Sequence, residues 1–410
     1  MRTIPGWVVL LFLVAYVWPA DAQSKGTIKI ATQSPLSGGQ AVLGEGIKLG
    51  AQLAVEKMKG NLEKMGYKVD FVPFDDQAKP DVGVANAKNI IADKDIMAII
   101  GHLNSGVAIP SSEVYKEVGL AMILPAVTHP RLTEGGYVNV ARVCGRDDTQ
   151  GVGAATFAAN TLKVRSVYVV HDMTPYGQGL SVLFKAAAEK NGSKVLGFEG
   201  TQLGADFDSL LMPIRNKNPD LIYFAGNYEQ GAPFFKEARL KGLSSILLGS
   251  NGIDTPQLRE LAGKAAVGMY YSTVAAPVST VRSFAEDFRK KFNKSATPYA
   301  AEAYDAAGVA LKAIELTVQK TGGLKRENVA MTVRTVKFDG ITGPIAFNSN
   351  GDRKMATVWI VQVAEPGQDN KLIASIGVDQ TQGPGVTPTC PAGQKWCKKQ
   401  NACINNDSSC

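Results

Sequence analysis

The sequence predicts an α/β protein of two similar lobes, each a parallel sheet covered by helices. Three observations predict it. Short apolar runs bounded by glycine, proline and polar residues recur along the chain, with the length and setting of buried parallel strands. Longer segments with apolar residues at helical spacing lie between them. The alternation runs to about residue 150 and then begins again after Gly151, which implies two units of one architecture.

In chain order, residues 27–32 alternate like a first strand, 34–39 form a loop and 41–59 a helix carrying Leu43, Ile47, Leu53 and Val55. That helix contains Gly44, Gly46 and Gly50, which echo a nucleotide loop. The glycines fall inside the helical pattern, not at the strand–helix turn where a dinucleotide loop needs them, so the echo is rejected. Residues 67–74 are the second strand and 80–92 a helix. Next comes the stretch around which the first unit is organised: an apolar run at 96–100, a crossover helix over 107–118, and a second apolar run at 121–124.

The polar residues of this strand–helix–strand unit sit where it exposes its chemistry. Gly101-His102-Leu103-Asn104-Ser105-Gly106 leaves the first strand with Ser105 placed as N-cap, and the helix N-terminus there favours a carboxylate. Ala126-Val127-Thr128 leaves the second strand. Ligands of open α/β sheets bind outside the carboxyl ends of strands, so Ser105 and Thr128 can face one ligand; a plain cap and a plain loop hydroxyl are the alternative.

The second series has strands at 166–170, 195–199, 221–225 and 246–248. Its helices are near 151–162, 177–191, 207–217 and 232–241. Residues 268–273 read as another strand, and 281–292 and 299–318 as amphipathic helices. Asn350-Gly351 is a hairpin signal between 345–347 and 357–363. Residues 380–388 have linker composition. The tail after it carries Cys390, Cys397, Cys403 and Cys410 but too few apolar residues for a core, so disulfides would have to hold it. The four allow three pairings, and their spacing lacks the close pairs of a zinc module. Cys144 stands alone.

Composition bounds the function. The 410 residues suffice for two or three domains, and 45% hydrophobic with 20% charged residues is ordinary for a soluble globular protein. The net charge of +7 is spread along helical segments without a basic, aromatic-rich patch, which argues against nucleic acid. Arg2, the apolar run 7–17 and Ala20-Asp21-Ala22 read as a signal peptide over 1–22, with export of a soluble mature chain; an uncleaved anchor is the alternative to it. His-Glu-x-x-His, Walker and Gly-x-Ser-x-Gly motifs are absent, and no pattern brings His129, Ser105 and Asp172 into a triad, so an enzyme is disfavoured.

Several stretches together carry a resemblance. They are Phe74-Asp75-Asp76, Gly101-His102-Leu103 with Ser105, Pro125 to Pro130, Gly145-Arg146-Asp147-Asp148-Thr149-Gln150-Gly151, His171-Asp172 with Tyr176 to Gly179, and Ala303-Tyr304-Asp305-Ala306. In order and spacing they resemble the branched-chain amino-acid-binding proteins of ABC importers, type I periplasmic binding proteins, over residues 25–378. The resemblance implies two Rossmann-like lobes joined by three hinge crossings. Lobe one would be 25–146 with 276–354, and lobe two 147–275 with 355–378; a linker at 379–389 and a Cys-rich tail at 390–410 follow. It implies a periplasmic monomer that closes on a small carboxylated solute, docks on permease subunits in the membrane and needs no cofactor. A ligand sensor on the same fold is the rival.

By the same resemblance, Ser105 and Thr128 clamp the ligand carboxylate and the Ala126 carbonyl accepts from its ammonium. Leu43 contacts its side chain, Tyr176 closes over it, and Asn227 and Tyr228 add contacts. Two departures stand out. Asn251 occupies the place of an acidic residue that neutralises the ammonium, so either Glu229 or Asp254 substitutes, or the ligand is an aromatic or aliphatic carboxylate or amide without an amino group. The internal disulfide of enteric members would fall at Ala78 and Asn104, and both Cys are absent together.

Overall fold

The structure is a computed structural model that describes residues 24–380 and the strand backbones Gln394–Cys397 and Ala402–Asn405. The expected signal peptide, linker residues 381–389 and the cysteine pairing of the tail lie outside the described residues.

Two open sheets form the frame. The first contains β1 (Gly26–Ser34), β2 (Tyr67–Asp75), β3 (Ile96–Gly101), β4 (Ala121–Leu124) and β5 (Val140–Arg142), all parallel, in the order β2-β1-β3-β4-β5. The second contains β6 (Ser166–His171), β7 (Lys194–Gly200), β8 (Leu221–Ala225), β9 (Ile246–Gly249) and β10 (Tyr270–Thr273), in the order β7-β6-β8-β9-β10. The two orders are the same: second, first, third, fourth, fifth. In each sheet the connections diverge between the first and third strands, and the crevice this opens at the carboxyl ends is where such sheets bind ligands.

Alternation along the strands explains the double burial. In β4, Ala121 and Ile123 pack into the core under helix Ala300–Thr321, while Met122 and Leu124 pack on the opposite face with Ala108 and Tyr115. In β8, Leu221 and Tyr223 enter one core and Ile222 and Phe224 the other. Every one of these residues is buried, as sheets covered on both faces require.

The glycines that echo a nucleotide loop have a packing role. Helix Ala41–Met58 lies so close to the N-terminus of helix Ala300–Thr321 that a Cβ on Gly50 would stand 2.0 Å from the Ala300 carbonyl oxygen, and one on Gly46 1.9 Å from the Thr297 hydroxyl.

Some elements differ from the sequence expectation. Ser105 is the first residue of helix Ser105–Lys116, and Asn104 holds the N-cap position without a side-chain cap bond. The Asn350-Gly351 turn exists, but its ladder stops at a single antiparallel bridge between Phe347 and Arg353. The chain then leaves as β13 (Met355–Gln362), after the short pair β11 (Phe338–Gly340) and β12 (Gly343–Ile345). It runs antiparallel beside β10 and pairs with β14 (Lys371–Asp379) at the sheet edge. Arg353 enforces the exit: its guanidinium donates to the Val143, Thr342 and Pro344 carbonyls, so the chain is tied to the first lobe just before it crosses.

Candidate functional site

A cavity of about 260 Å³ lies between the carboxyl ends of the two sheets. Its lobe-one wall comes from the loops after β3 and β4, which bring Asn104, Ser105, Ala126 and Thr128 together with Leu43 from helix Ala41–Met58. Its lobe-two wall comes from the loops after β6, β8 and β9, which bring Thr174, Tyr176, Asn227, Asn251 and Gly252. Tyr299, at the start of helix Ala300–Thr321, completes the lining.

The lobe-one wall is held by a buried ion pair. Arg142, fully buried, donates from Nε to Asp352 Oδ1 at 2.9 Å and from its two terminal nitrogens to the Val127 and His129 carbonyls at 2.9 and 3.0 Å. Thr128 sits between those two carbonyls, so one guanidinium fixes its loop. Arg146 donates to the other Asp352 oxygen at 2.8 Å and also pairs with Asp148 and Glu134. Burial alone would raise the Asp352 pKa; the Arg142 and Arg146 guanidiniums hold it below the usual carboxylate range. With its loop held from behind, this wall leaves hydroxyls facing inward. The Ser105 hydroxyl has no hydrogen-bond partner among the described residues.

The lobe-two wall is bonded to itself and to Tyr299, at the start of the helix that covers the first sheet. The Tyr176 hydroxyl donates to Asn251 Oδ1 at 2.5 Å and accepts the Gly252 N–H at 3.2 Å, while the Asn251 amide donates to the Tyr299 hydroxyl. Asp172 organises the other two loops. One oxygen accepts from the Thr174 N–H and hydroxyl, the other from the Asn227 N–H and side-chain amide at 2.9 Å. His129 has its own commitment: Nδ1 accepts the Arg131 N–H at 3.2 Å, and burial with three neighbouring arginines pushes its pKa down to about 3. Among the described residues neither His129 nor Asp172 hydrogen-bonds Ser105.

Seven of the eight residues singled out from the sequence line the cavity: Leu43, Ser105, Ala126, Thr128, Tyr176, Asn227 and Asn251. Tyr228 does not. It begins helix Tyr228–Leu240, and its hydroxyl reaches across the cleft to donate to the Gly39 carbonyl. Glu229 joins it there, accepting from Gln40 at 2.8 Å, so the lobes are bonded to each other at the mouth. Neither Glu229 nor Asp254 lines the cavity. Asp254 borders a separate cleft with Tyr271 and Arg259, its pKa pushed by burial to about 6.

The sequence reading missed Asp147, Tyr299 and the Arg142–Asp352 pair. Asp147 opens helix Asp147–Asn160 with its N–H donating to the Thr128 carbonyl at 3.0 Å. Its carboxyl group is fully buried and neither oxygen has a partner of ordinary hydrogen-bond geometry among the described residues. Burial pushes its pKa to about 7; the nearby Thr128 hydroxyl and the Arg142 and Arg146 charges offset only part of that. Its place in Gly145-Arg146-Asp147-Asp148 was visible in the sequence. Nothing in the sequence separated it from Asp148, whose carboxylate pairs with Arg146.

The sequence matches the periplasmic binding protein family over residues 27–369. Among curated proteins it is 30% identical over 331 residues to the leucine-, isoleucine-, valine-, threonine- and alanine-binding protein of Pseudomonas aeruginosa, covering 80% of this chain and 87% of that one. It is also 30% identical to Leu/Ile/Val-binding protein homolog 2 of Brucella abortus, over 84% of this chain and 92% of the relative. Among solved structures, a leucine-binding protein from Thermotoga maritima superposes with a TM-score of 0.77 at 30% identity, over 85% of this chain and 98% of that one.

Proposed function

Because the chain belongs to the periplasmic binding protein family, we propose that it is the exported substrate-binding subunit of an ABC importer, closing on a small amino acid and presenting it to a membrane permease. The observation that carries this reading is a contrast at the lobe-one wall. The Ser105 and Thr128 hydroxyls line the cavity, and next to Thr128, behind the lining itself, lies the fully buried carboxyl of Asp147, whose oxygens have no partner of ordinary hydrogen-bond geometry among the described residues.

A zwitterion answers both features. Its carboxylate takes the Ser105 and Thr128 hydroxyls and the backbone N–H groups at the start of helix Ser105–Lys116. Its ammonium takes the Ala126 carbonyl and the Asp147 carboxylate. In a closed cavity an ammonium needs a full negative charge, because an amide cannot balance it. Asn251 is thereby relieved of that role: its amide ties Tyr176 to Tyr299, the pin that holds the lobe-two lid. Leu43, Leu103 and Val107 supply apolar surface for the ligand side chain. Closure needs only differential affinity for the closed form, which the bonds at the mouth help to stabilise. Among the described residues no helix is long and apolar enough to cross a membrane, which is compatible with delivery to a separate permease.

Isothermal titration of the mature protein, stripped of ligand by unfolding and refolding, tests the reading. Leucine, isoleucine, valine, threonine and alanine are titrated beside leucinamide, which lacks the carboxylate, and 4-methylpentanoate, which lacks the amine. Binding of at least one amino acid with loss of binding for both truncated ligands is expected. Tight binding of 4-methylpentanoate, with leucine failing, overturns the role of Asp147.

A further inference from the structure

We infer that Asn104 determines specificity, presenting a hydrogen-bond acceptor to the ligand side chain and so selecting small carboxylates that carry a donor there. The inference rests on the proposed carboxylate clamp, since that clamp directs the rest of the ligand toward this wall.

A chain of three side chains fixes the direction of the amide. Glu229 ends it, because a carboxylate only accepts. Gln40 therefore turns its amide nitrogen to Glu229, at 2.8 Å, and its carbonyl oxygen the other way. That oxygen accepts from Asn104 Nδ2 at 2.7 Å. The nitrogen of Asn104 is thus committed to Gln40, and Oδ1 is the group left over. It is buried and has no hydrogen-bond partner among the described residues, on a side chain that lines the cavity.

Apart from the clamp hydroxyls of Ser105 and Thr128, polar side chains of both walls are already engaged. Gln40 uses both ends of its amide in the chain. Thr174 donates to Asp172 and accepts the Gly177 N–H, and the Asn227 nitrogen goes to Asp172. Around them the lining is apolar, with Leu43, Ala78, Pro80 and Leu103. Beside a wholly apolar ligand side chain Asn104 Oδ1 stays buried without a partner, whereas a ligand hydroxyl or amide N–H that reaches it supplies the missing bond. The link between Gln40 and Glu229 crosses the cleft, so closure itself sets the polarity of the chain.

Three near-isosteric pairs test this by titration calorimetry: threonine against valine, asparagine against leucine, and 4-hydroxybenzoate against 4-methylbenzoate. In at least one pair the donor-bearing member is expected to bind about tenfold more tightly, the size of one buried hydrogen bond. Asn104→Leu should erase or invert that preference. Glu229→Gln keeps the wall but lets the Gln40 amide turn either way, and should reduce the preference toward unity without lowering the melting temperature of the free protein. Equal affinities within every pair, or a preference that Asn104→Leu leaves unchanged, overturn the role of Asn104 and leave the carboxylate clamp standing. Failure of all six compounds to bind overturns the clamp itself and this inference with it.

Discussion

The two walls of the cavity are built on opposite principles. In lobe two the polar groups are already engaged: Tyr176 and Asn251 form one bonded set, which reaches across to Tyr299 of lobe one, and Asp172 with Thr174 and Asn227 another. In lobe one the strongest bonds lie behind the wall, where Arg142 and Asp352 grip the 127–129 loop, and the Ser105 hydroxyl and Asn104 Oδ1 are left without partners among the described residues. Open acceptors and donors bind, whereas satisfied ones shape and seal. On the proposed function, the difference would give ligand capture to lobe one and closure to lobe two.

The largest expected effect comes from breaking the grip behind lobe one. Arg142→Met removes one of the two guanidiniums on the fully buried Asp352 carboxylate and strands its Oδ1 together with two loop carbonyls. We expect a loss of about 3–5 kcal/mol of stability, read by urea denaturation. A loss below 1 kcal/mol would mean that the loop is held by something else.

Next is the capture itself. Ser105→Ala combined with Thr128→Val removes two bonds to a charged group, each worth about 1.5–3 kcal/mol, so Kd for an amino-acid ligand should rise at least about 100-fold. The melting temperature of the free protein should stay nearly unchanged, since neither hydroxyl supports a strand.

Asp147 sharpens the comparison through pH. Its pKa stands near 7 in the fold and near the ordinary value of 3.8 when unfolded. The native state therefore holds a proton that the unfolded state has lost, and stability falls as pH rises from about 4 to about 7. Asp147→Asn should therefore stabilise the free protein by about 2–3 kcal/mol more at pH 8 than at pH 5. Glu302, pushed by burial to about 7, and His129, pushed down to about 3, titrate in both proteins, so the difference isolates Asp147. Affinity for an amino acid should rise with pH up to about 7 and then level, because the ammonium needs the ionised carboxylate. A carboxylate ligand without an amine should show the opposite slope.

The smallest effect belongs to the lid. Tyr176→Phe loses the bond to Asn251 and the acceptor for the Gly252 N–H, and should weaken binding about five- to tenfold through a faster off-rate, measured by stopped-flow fluorescence. If Tyr176→Phe exceeds the Ser105/Thr128 double variant, the division of labour between the walls is wrong.

Much of this was legible in the sequence because it is local. The apolar runs that became β3, β4, β6 and β8 announce buried strands by length and composition, and the residues just after β3 and β4 had to lie at the sheet's carboxyl edge, which is how Ser105 and Thr128 could be found, while Ala126 and Tyr176 came from the family resemblance. Tyr228 shows the limit. It too follows a strand, but which way its side chain points was settled by the opposite lobe, where the Gly39 carbonyl waits.

What only the tertiary structure decided is pairing over long separations. Arg142 and Asp352 are 210 residues apart, and neither carries a local signature of its partner. Asp147 and Asp148 are neighbours of identical chemistry; the fold gives Asp148 an arginine at pairing distance and buries Asp147 with neither carboxyl oxygen in an ordinary hydrogen bond among the described residues. Side-chain periodicity fixes which face of an element is covered, so the sequence by itself determined the two-sheet frame and the edge at which the proposed site lies. The charge that the ligand meets there depends on which distant groups the fold brings within a few ångströms, and no periodicity records that.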